Sequence, residues 1–162
     1  MGDASMMATA LNVVLFLPLV GMALLMFVPS DKPGTTRGLT LLFMIAQFVI
    51  TVWLYRNYSS TATGLQFETR IPWIASWGVF YHIGIDGFNV LLVLLTAFLA
   101  PLVVAGAFSA IQKDIKLFYA MVFLIQFAMM GTFLAQDLFL FYVFWELMLI
   151  PMFIMIGIWG GA

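Results

Sequence analysis

Five long apolar runs constrain what this 162-residue chain can fold into. Each run has about the 20 residues that an α-helix needs to cross the hydrocarbon core of a bilayer. The chain is 65% hydrophobic and 8% charged, whereas an ordinary soluble domain is about 45–50% apolar and about 25% charged. We therefore predict an all-α, polytopic membrane protein in which residues 1–162 form a single transmembrane domain. The predicted spans are residues 8–28, 38–55, 88–111, 117–134 and 138–159.

The connection between spans two and three, residues 56–87, is the only long connection in the sequence. Apolar and polar residues alternate from Leu65 to Ile71 and again from Val79 to Ile85, on either side of the sequence PWIASWG. Alternation with period two on both sides of a turn is typical of a β-hairpin. Trp73 and Trp77 suit the bilayer interface, where amphipathic rings accumulate. We predict a short outer β-hairpin that lies on the membrane surface.

The basic residues predict the orientation of the chain in the membrane. The connections between spans one and two and between spans three and four lie on one face, and they hold four of the six basic residues: Lys32, Arg37, Lys113 and Lys116. Because loops rich in lysine and arginine stay in the cytoplasm, this face is predicted to be cytoplasmic. The N-terminus and the hairpin then lie on the outer side.

Composition argues against several classes of function. The absence of cysteine from the sequence removes disulfides, thiolate metal sites and Cys-ligated iron–sulfur clusters. A net charge of -1 without a basic cluster does not favour nucleic acid, because phosphate binding requires a concentrated positive face. His82 and Asp86 lack a third ligand at suitable spacing, and a zinc site needs three or four. We predict that the chain itself binds no metal and no cofactor.

Glu146 is the one charged residue between Phe139 and Trp159. It follows Leu138 by eight residues, which places it about 12 Å into a hydrocarbon core about 30 Å thick. An acid at the centre of a membrane helix costs on the order of 2.5–3.5 kcal/mol, so such a residue normally has a use. Desolvation raises the pKa of such a carboxyl group and a nearby cation lowers it, so the group can load and release a proton. We predict that Glu146 is a proton carrier; the alternative is a permanently protonated acid that hydrogen-bonds a neighbouring helix.

Two residues of span five are predicted to support Glu146. Tyr142 lies one helical turn earlier on the same face, and we expect that face to point into the protein interior. Pro151 has no N–H group to donate to the carbonyl of Leu147, so the helix opens beside the acid and offers a place for water.

A further supporting residue is predicted in span four. Gln126 and Gln47 are polar residues at membrane depth, and their simplest role is interhelical hydrogen bonding, with a hydrated pathway as the alternative. No lysine or arginine lies inside a predicted span. The counter-charge of Glu146 is therefore expected from residues or subunits outside this sequence.

Two stretches carry a resemblance to a known family. FYVFWELMLIPMFIMIGIWGG closely resembles the fifth span of the antiporter-like subunit M family of respiratory complex I, which is subunit 4 of the mitochondrial set. YHIGIDGFNVLLVLLTAFLAPLV resembles the start of the third span in that family, and the likeness covers most of residues 80–162. In the family, the acid that matches Glu146 belongs to the first half-channel, and its partner is a lysine on a broken seventh helix.

The resemblance implies a proton-translocating subunit of NADH:quinone oxidoreductase in which this chain has no redox centre. NADH, FMN and iron–sulfur clusters are expected in partner subunits, and the expected partners are other membrane-arm subunits, including neighbouring antiporter-like subunits, and the lipid bilayer. The expected location is the bacterial inner membrane, with an organellar inner membrane as the alternative.

The family fold has about fourteen helices with two inverted five-helix repeats, so these five helices correspond to its N-terminal part. The chain is then expected to be either one piece of a split subunit or an incomplete stretch of a longer one. Two other classes stay open. One is an antiporter-like subunit of a cation/proton antiporter or membrane-bound hydrogenase complex, and the other is a structural membrane subunit that transports nothing.

Overall fold

The structure is a computed structural model that describes residues 2–161. Five of its helices are long and apolar enough to cross a membrane. A two-stranded antiparallel sheet follows the second helix, and a 3-10 turn at Ala75–Trp77 joins its strands. In chain order the helices and strands are α1 Gly2–Phe27, α2 Pro33–Asn57, β1 Gln66–Ile74, β2 Val79–Ile85, α3 Asn89–Ala110, α4 Ile115–Leu134 and α5 Leu138–Trp159. The predicted five spans and the hairpin between spans two and three are confirmed.

The first two helices begin earlier than the predicted spans. The first span was predicted from residue 8, but α1 begins at Gly2; the second was predicted from residue 38, but α2 begins at Pro33. Hydropathy locates the part of a helix that suits hydrocarbon, whereas the helix itself continues through polar residues at the membrane surface. Proline suits the first turn of α2 because its fixed φ angle is helical and the missing N–H has no partner there.

α4 is the central helix of the bundle, and it packs against the four other helices. Most of its side chains are buried, including Tyr119 and Phe123. α5 packs on α4 and, less extensively, on β2, so it lies at the side of the bundle. The contact between α4 and α5 is close at Gly131, where an added Cβ would overlap the ring of Phe144.

Two basic side chains each connect a pair of helix ends at one end of the bundle. Lys116 Nζ donates to the carbonyl oxygens of Met26 and Val28 at 2.8 and 2.9 Å, so the start of α4 meets the end of α1. Arg37 Nη2 donates to the carbonyl oxygen of Ile111 at 2.9 Å, so the start of α2 meets the end of α3. The two basic connections therefore lie at the same end of the bundle, as predicted.

The hairpin packs against the opposite end of the bundle. Its register pairs Thr69 with Ile83 and Ile71 with Tyr81, and Gly78 turns the chain with a φ of 65°. The side chains of β2 are more buried than those of β1, and Ile83 is fully enclosed in the core that α1, α3, α4 and α5 share. β2 is thus the strand that connects the hairpin to the helices.

Candidate functional site

The helix that carries Glu146 begins at Leu138 because Asp137 caps it. Asp137 Oδ1 accepts hydrogen bonds from the amides of Phe139 and Leu140 at 2.9 and 3.1 Å, which satisfies two donors that the helix leaves unpaired. The helix then runs without interruption to Trp159. Its 22 residues extend about 33 Å at about 1.5 Å per residue, enough to cross the hydrocarbon core.

One side of α5 is packed and the other is open. Leu140, Phe144 and Pro151 are its buried residues, and Leu140 and Phe144 belong to the core of the bundle. Glu146 is exposed, and so is Tyr142 one turn earlier, at 57%. The same open stripe continues toward the end of the helix through Leu149, Ile150 and Phe153.

The expectation that this stripe faces the protein interior is not met within residues 2–161. The physical reason is that α5 contacts α4 and β2 on one side, and no other described helix lies against its opposite side. The sequence correctly places Tyr142 and Glu146 on one face, but hydropathy alone does not show which face packs, because every face of α5 carries large apolar side chains.

Glu146 has no counter-charge among the described residues. The salt bridge found within residues 2–161 joins His82 Nε2 to Glu68 Oε1 at 2.7 Å, and it lies on the hairpin. His82 is thus paired with Glu68, while Asp86 accepts hydrogen bonds from two amides at the start of α3. In the same part of the chain, no group of three or more possible metal-ligating residues comes together.

Pro151 and Glu146 lie on opposite sides of α5. The proline ring is buried, whereas the acid is exposed. The carbonyl of Leu147, one residue after the acid, lacks its usual helical donor because Pro151 has no N–H. Leu147 is half-buried at the border between the packed and the open side. A carbonyl without its usual helical donor thus lies next to the residue that carries the carboxylate.

Gln126 belongs to a separate network in the bundle interior. Its Nε2 donates to Gln47 Oε1 at 2.8 Å and, more weakly, to the carbonyl oxygen of Thr96 at 3.4 Å. Gln47 Nε2 in turn donates to the carbonyl oxygen of Val14 at 2.8 Å. These bonds connect α1, α2, α3 and α4, which is the interhelical arrangement predicted for the two glutamines. Because Glu146 lies on the side of α5 away from α4, the structure does not bring Gln126 to it.

Asp137 makes a second contact that the sequence did not predict. Besides capping α5, its carboxylate accepts a hydrogen bond at Oδ2 from the amide of Phe80 in β2, at 3.1 Å. Desolvation raises the pKa of Asp137, but the amides of Phe80, Leu140 and Phe139 outweigh it and hold the pKa below its ordinary value. An aspartate directly before an apolar run signals a helix cap. Nothing local signals a partner 57 positions away.

No family model matches the chain. Individual relatives do match it over most of its length. The chain is 32% identical over 156 residues to NADH-quinone oxidoreductase subunit M of Rickettsia conorii, covering 93% of this chain and 32% of the relative. It is 37% identical over 130 residues to the subunit of the same name from Buchnera aphidicola, covering 78% and 25%. It is 31% identical over 151 residues to F(420)H(2) dehydrogenase subunit M of Methanosarcina mazei, covering 93% and 30%.

The matches extend well beyond the two stretches that carried the resemblance, since they cover up to 93% of the chain. They cover much less of the relatives, because the chain spans about a third of their length or less, between 25% and 32%. The resemblance expected from the sequence is confirmed, and the chain is a homologue of the subunit M (chain 4) proteins of NADH-quinone oxidoreductase.

Proposed function

We propose that this chain supplies part of a membrane-arm subunit of NADH:quinone oxidoreductase and that Glu146 takes part in proton translocation there. Two findings support the assignment to this enzyme. The chain folds into five helices that suit a bilayer, and its relatives carry the name of a subunit of that oxidoreductase. The role of Glu146 is supported by the physical setting of its carboxyl group.

The observation that carries the proposal is the position of Glu146 on the open side of α5. An ionisable side chain near the bilayer centre rarely faces lipid; it faces a bundle interior or a water-filled cavity and pairs with another group. The described helices leave Glu146 uncovered and without a cation within salt-bridge distance. A further element of the subunit or a neighbouring subunit therefore covers the stripe from Tyr142 to Phe153 and brings a basic group to the acid.

In this proposal the charge of Glu146 follows the position of that basic group. A cation close to the carboxylate favours the charged form, and withdrawal of that cation into another contact favours the protonated form. Movement of the cation thus takes up a proton at Glu146 and later releases it. The Tyr142 hydroxyl one turn away, and water at the Leu147 carbonyl that lacks its helical donor, provide the hydrogen-bonding groups for the transfer.

The chemistry of electron transfer belongs to other subunits in this account. NADH, FMN and iron–sulfur clusters reside in partner subunits, and oxidation of NADH drives quinone reduction there. This chain contributes the proton-carrying step and contacts with neighbouring antiporter-like subunits. We place it in a bacterial inner membrane with the N-terminus and the hairpin outside, on the distribution of its basic residues.

A second candidate follows from the Methanosarcina relative, which is named for F(420)H(2) instead of NADH. Two relatives with different electron donors in their names both match this chain along 93% of its length. The membrane step is then common to both enzymes, and the donor is set by the subunits that accompany the chain. Oxidation of NADH or of F(420)H(2) by membranes of the source organism distinguishes the two.

Substitution of Glu146 in the complete enzyme tests the proposal. Glu146→Gln keeps the size and hydrogen-bonding capacity of the side chain but cannot titrate, whereas Glu146→Asp titrates with a shorter reach. We expect the Gln variant to assemble and to lose most proton pumping and coupled quinone reduction, and the Asp variant to keep a substantial part. Met148→Leu is the matched control, because it lies two residues away on α5 and conserves volume.

The measurements are NADH oxidation and the proton gradient in membrane vesicles, with assembly checked on native gels. A permanently protonated acid that only holds helices together is well replaced by an amide and less well by a shorter acid. An assembled Gln variant that pumps at the parental rate, with Asp the more impaired of the two, would therefore refute the proton-carrier role.

A further inference from the structure

The outer edge of β2 is paired by a loop instead of a strand. Backbone groups of Phe80, His82 and Gly84 are bonded from the connection between α4 and α5. Asp137 Oδ2 accepts from the Phe80 amide at 3.1 Å, and the amide of Gln136 donates to the His82 carbonyl at 2.8 Å. The Gln136 side-chain amide donates to the Gly84 carbonyl at 3.3 Å. This connection thus replaces a third strand and satisfies an edge that otherwise stays unpaired.

The hairpin is held to the rest of the bundle independently of this connection. Tyr81 donates its hydroxyl proton to Asn12 Oδ1 at 2.6 Å, and Asn12 Nδ2 donates to Thr69 Oγ1 at 2.8 Å. Burial raises the pKa of Tyr81 to about 12, so this phenol keeps the proton that it donates. Both strands are therefore fixed to α1, and the hairpin keeps its position independently of the connection between α4 and α5.

Asp137 uses its two carboxylate oxygens on two different elements. Oδ1 accepts from the first-turn amides of α5, and Oδ2 accepts from β2. An asparagine at this position has a single acceptor oxygen and two donors, so it can serve the cap but cannot also accept from Phe80. The requirement for a carboxylate, and not merely for a capping residue, comes from the contact with the hairpin.

Glu146 lies nine residues beyond Asp137 on the same uninterrupted stretch of helix, which is about 13 Å along the axis. α4 packs against one side of α5, and β2 contacts the helix as well. The hydrogen bond from Phe80 to Asp137 adds a contact between β2 and the start of α5. We propose that Asp137 is a positioning residue that fixes the start of α5 to the outer hairpin and thereby sets the height of Glu146 in the membrane. The part of this inference that concerns Glu146 rests on the proposed function; the contact between Asp137 and the hairpin does not.

Asp137→Asn in the complete enzyme separates the two contacts, because it keeps the cap and removes the bond to β2. Asp86→Asn is the matched control. Asp86 Oδ1 alone accepts from the amides of Phe88 and Asn89, at 2.8 Å each, so asparagine can replace it fully. Hydrogen exchange measured by mass spectrometry on the β2 peptide reports the freed Phe80 amide. We expect exchange at least about tenfold faster in Asp137→Asn, from the loss of a charge-assisted hydrogen bond, and unchanged exchange in Asp86→Asn.

A disulfide between β2 and the connection that carries Asp137 can replace the lost contact. It restores pumping if that contact is what pumping requires, but not if the variant is merely less stable. Ile83 and Ala135 form an antiparallel bridge flanked by the bond from Gln136 to His82. They are therefore a non-hydrogen-bonded pair with Cα atoms about 4.5 Å apart, within the range of about 4.4–6.8 Å that a disulfide spans. The chain contains no cysteine, so Ile83→Cys with Ala135→Cys gives one defined pair.

We expect Asp137→Asn to lower proton pumping per assembled enzyme several-fold and oxidation of the cysteine pair to restore it, with reduction abolishing the rescue. Unchanged Phe80 exchange in Asp137→Asn would refute the contact itself, whatever Glu146 does. Faster exchange with parental pumping, or with impaired pumping that the disulfide does not restore, would refute the positioning role. Failure of Glu146→Gln to affect pumping would leave the exchange result standing and would reject the proposed function instead.

Discussion

Replacement of Gln126 by methionine tests the hydrogen-bond network in the bundle interior. Methionine has a similar length but donates nothing, so Gln47 Oε1 loses the donor that lies 2.8 Å away. Gln47 is fully buried, and water does not replace the bond. Interhelical hydrogen bonds in membrane proteins contribute about 0.6 kcal/mol on average and up to about 1.7 kcal/mol. An acceptor left unpaired in the interior adds a cost, and we expect a total loss of about 1–3 kcal/mol in the free energy of unfolding.

The double variant with Gln47→Met distinguishes a direct bond from two separate effects. When both glutamines are replaced, neither side chain of this bond remains behind without its partner. The double variant should therefore lose about 1 kcal/mol less than the sum of the single losses. Unfolding in mixed micelles with increasing SDS, followed by tryptophan fluorescence, measures these energies. Thr132→Val is the control, because its hydroxyl bonds only the Ala128 carbonyl within α4, and its cost should be close to zero. Strictly additive losses would show that the two glutamines do not bond each other.

Two further predictions concern packing and topology. Gly131→Ala places a methyl group on the ring of Phe144 and should destabilise the α4–α5 contact by about 1–3 kcal/mol. Gly106→Ala is the control and should cause no such loss, because the structure offers open space there. Equal melting temperatures for the two variants would contradict the close contact. Single cysteines at Thr35 and Lys113 should be shielded from an impermeant thiol reagent added outside, whereas one at Thr63 should react; the reverse pattern would invert the assigned orientation.

Much of the fold follows from local sequence patterns. The apolar runs locate five helices because hydrocarbon requires about 20 apolar residues per crossing. The alternation from Val79 to Ile85 locates β2, although burial in that strand follows its packing on the helices more than it follows the alternation. The helix α1 begins six residues before the predicted span, because the residues from Gly2 to Met7 are helical without being wholly apolar. Patterns of this kind depend only on neighbours in the chain.

The candidate site depends on contacts that no local pattern encodes. Gln126 and Gln47 were expected to bond helices, but their pairing across 79 positions was not specified. The cap at Asp137 is visible in the sequence, whereas its bond to Phe80 exists because β2 needs a partner at its outer edge. The face of α5 that packs was not predictable either. Large apolar side chains occupy every face of α5, and the close approach of Phe144 to Gly131 of α4 depends on the missing Cβ of that glycine.

The most direct test of the account is to observe the carboxyl group of Glu146 during turnover. A proton carrier changes its protonation state, whereas an acid that serves only as a hydrogen-bonding group does not. Infrared difference spectra of the assembled enzyme, recorded between the resting state and turnover with NADH and quinone, report the carbonyl stretch of protonated carboxyl groups. We predict a carboxyl band that changes in the parental enzyme and in Glu146→Asp and is missing in Glu146→Gln. Spectra in which the parental enzyme and Glu146→Gln show the same carboxyl changes would contradict the central claim that Glu146 carries the proton.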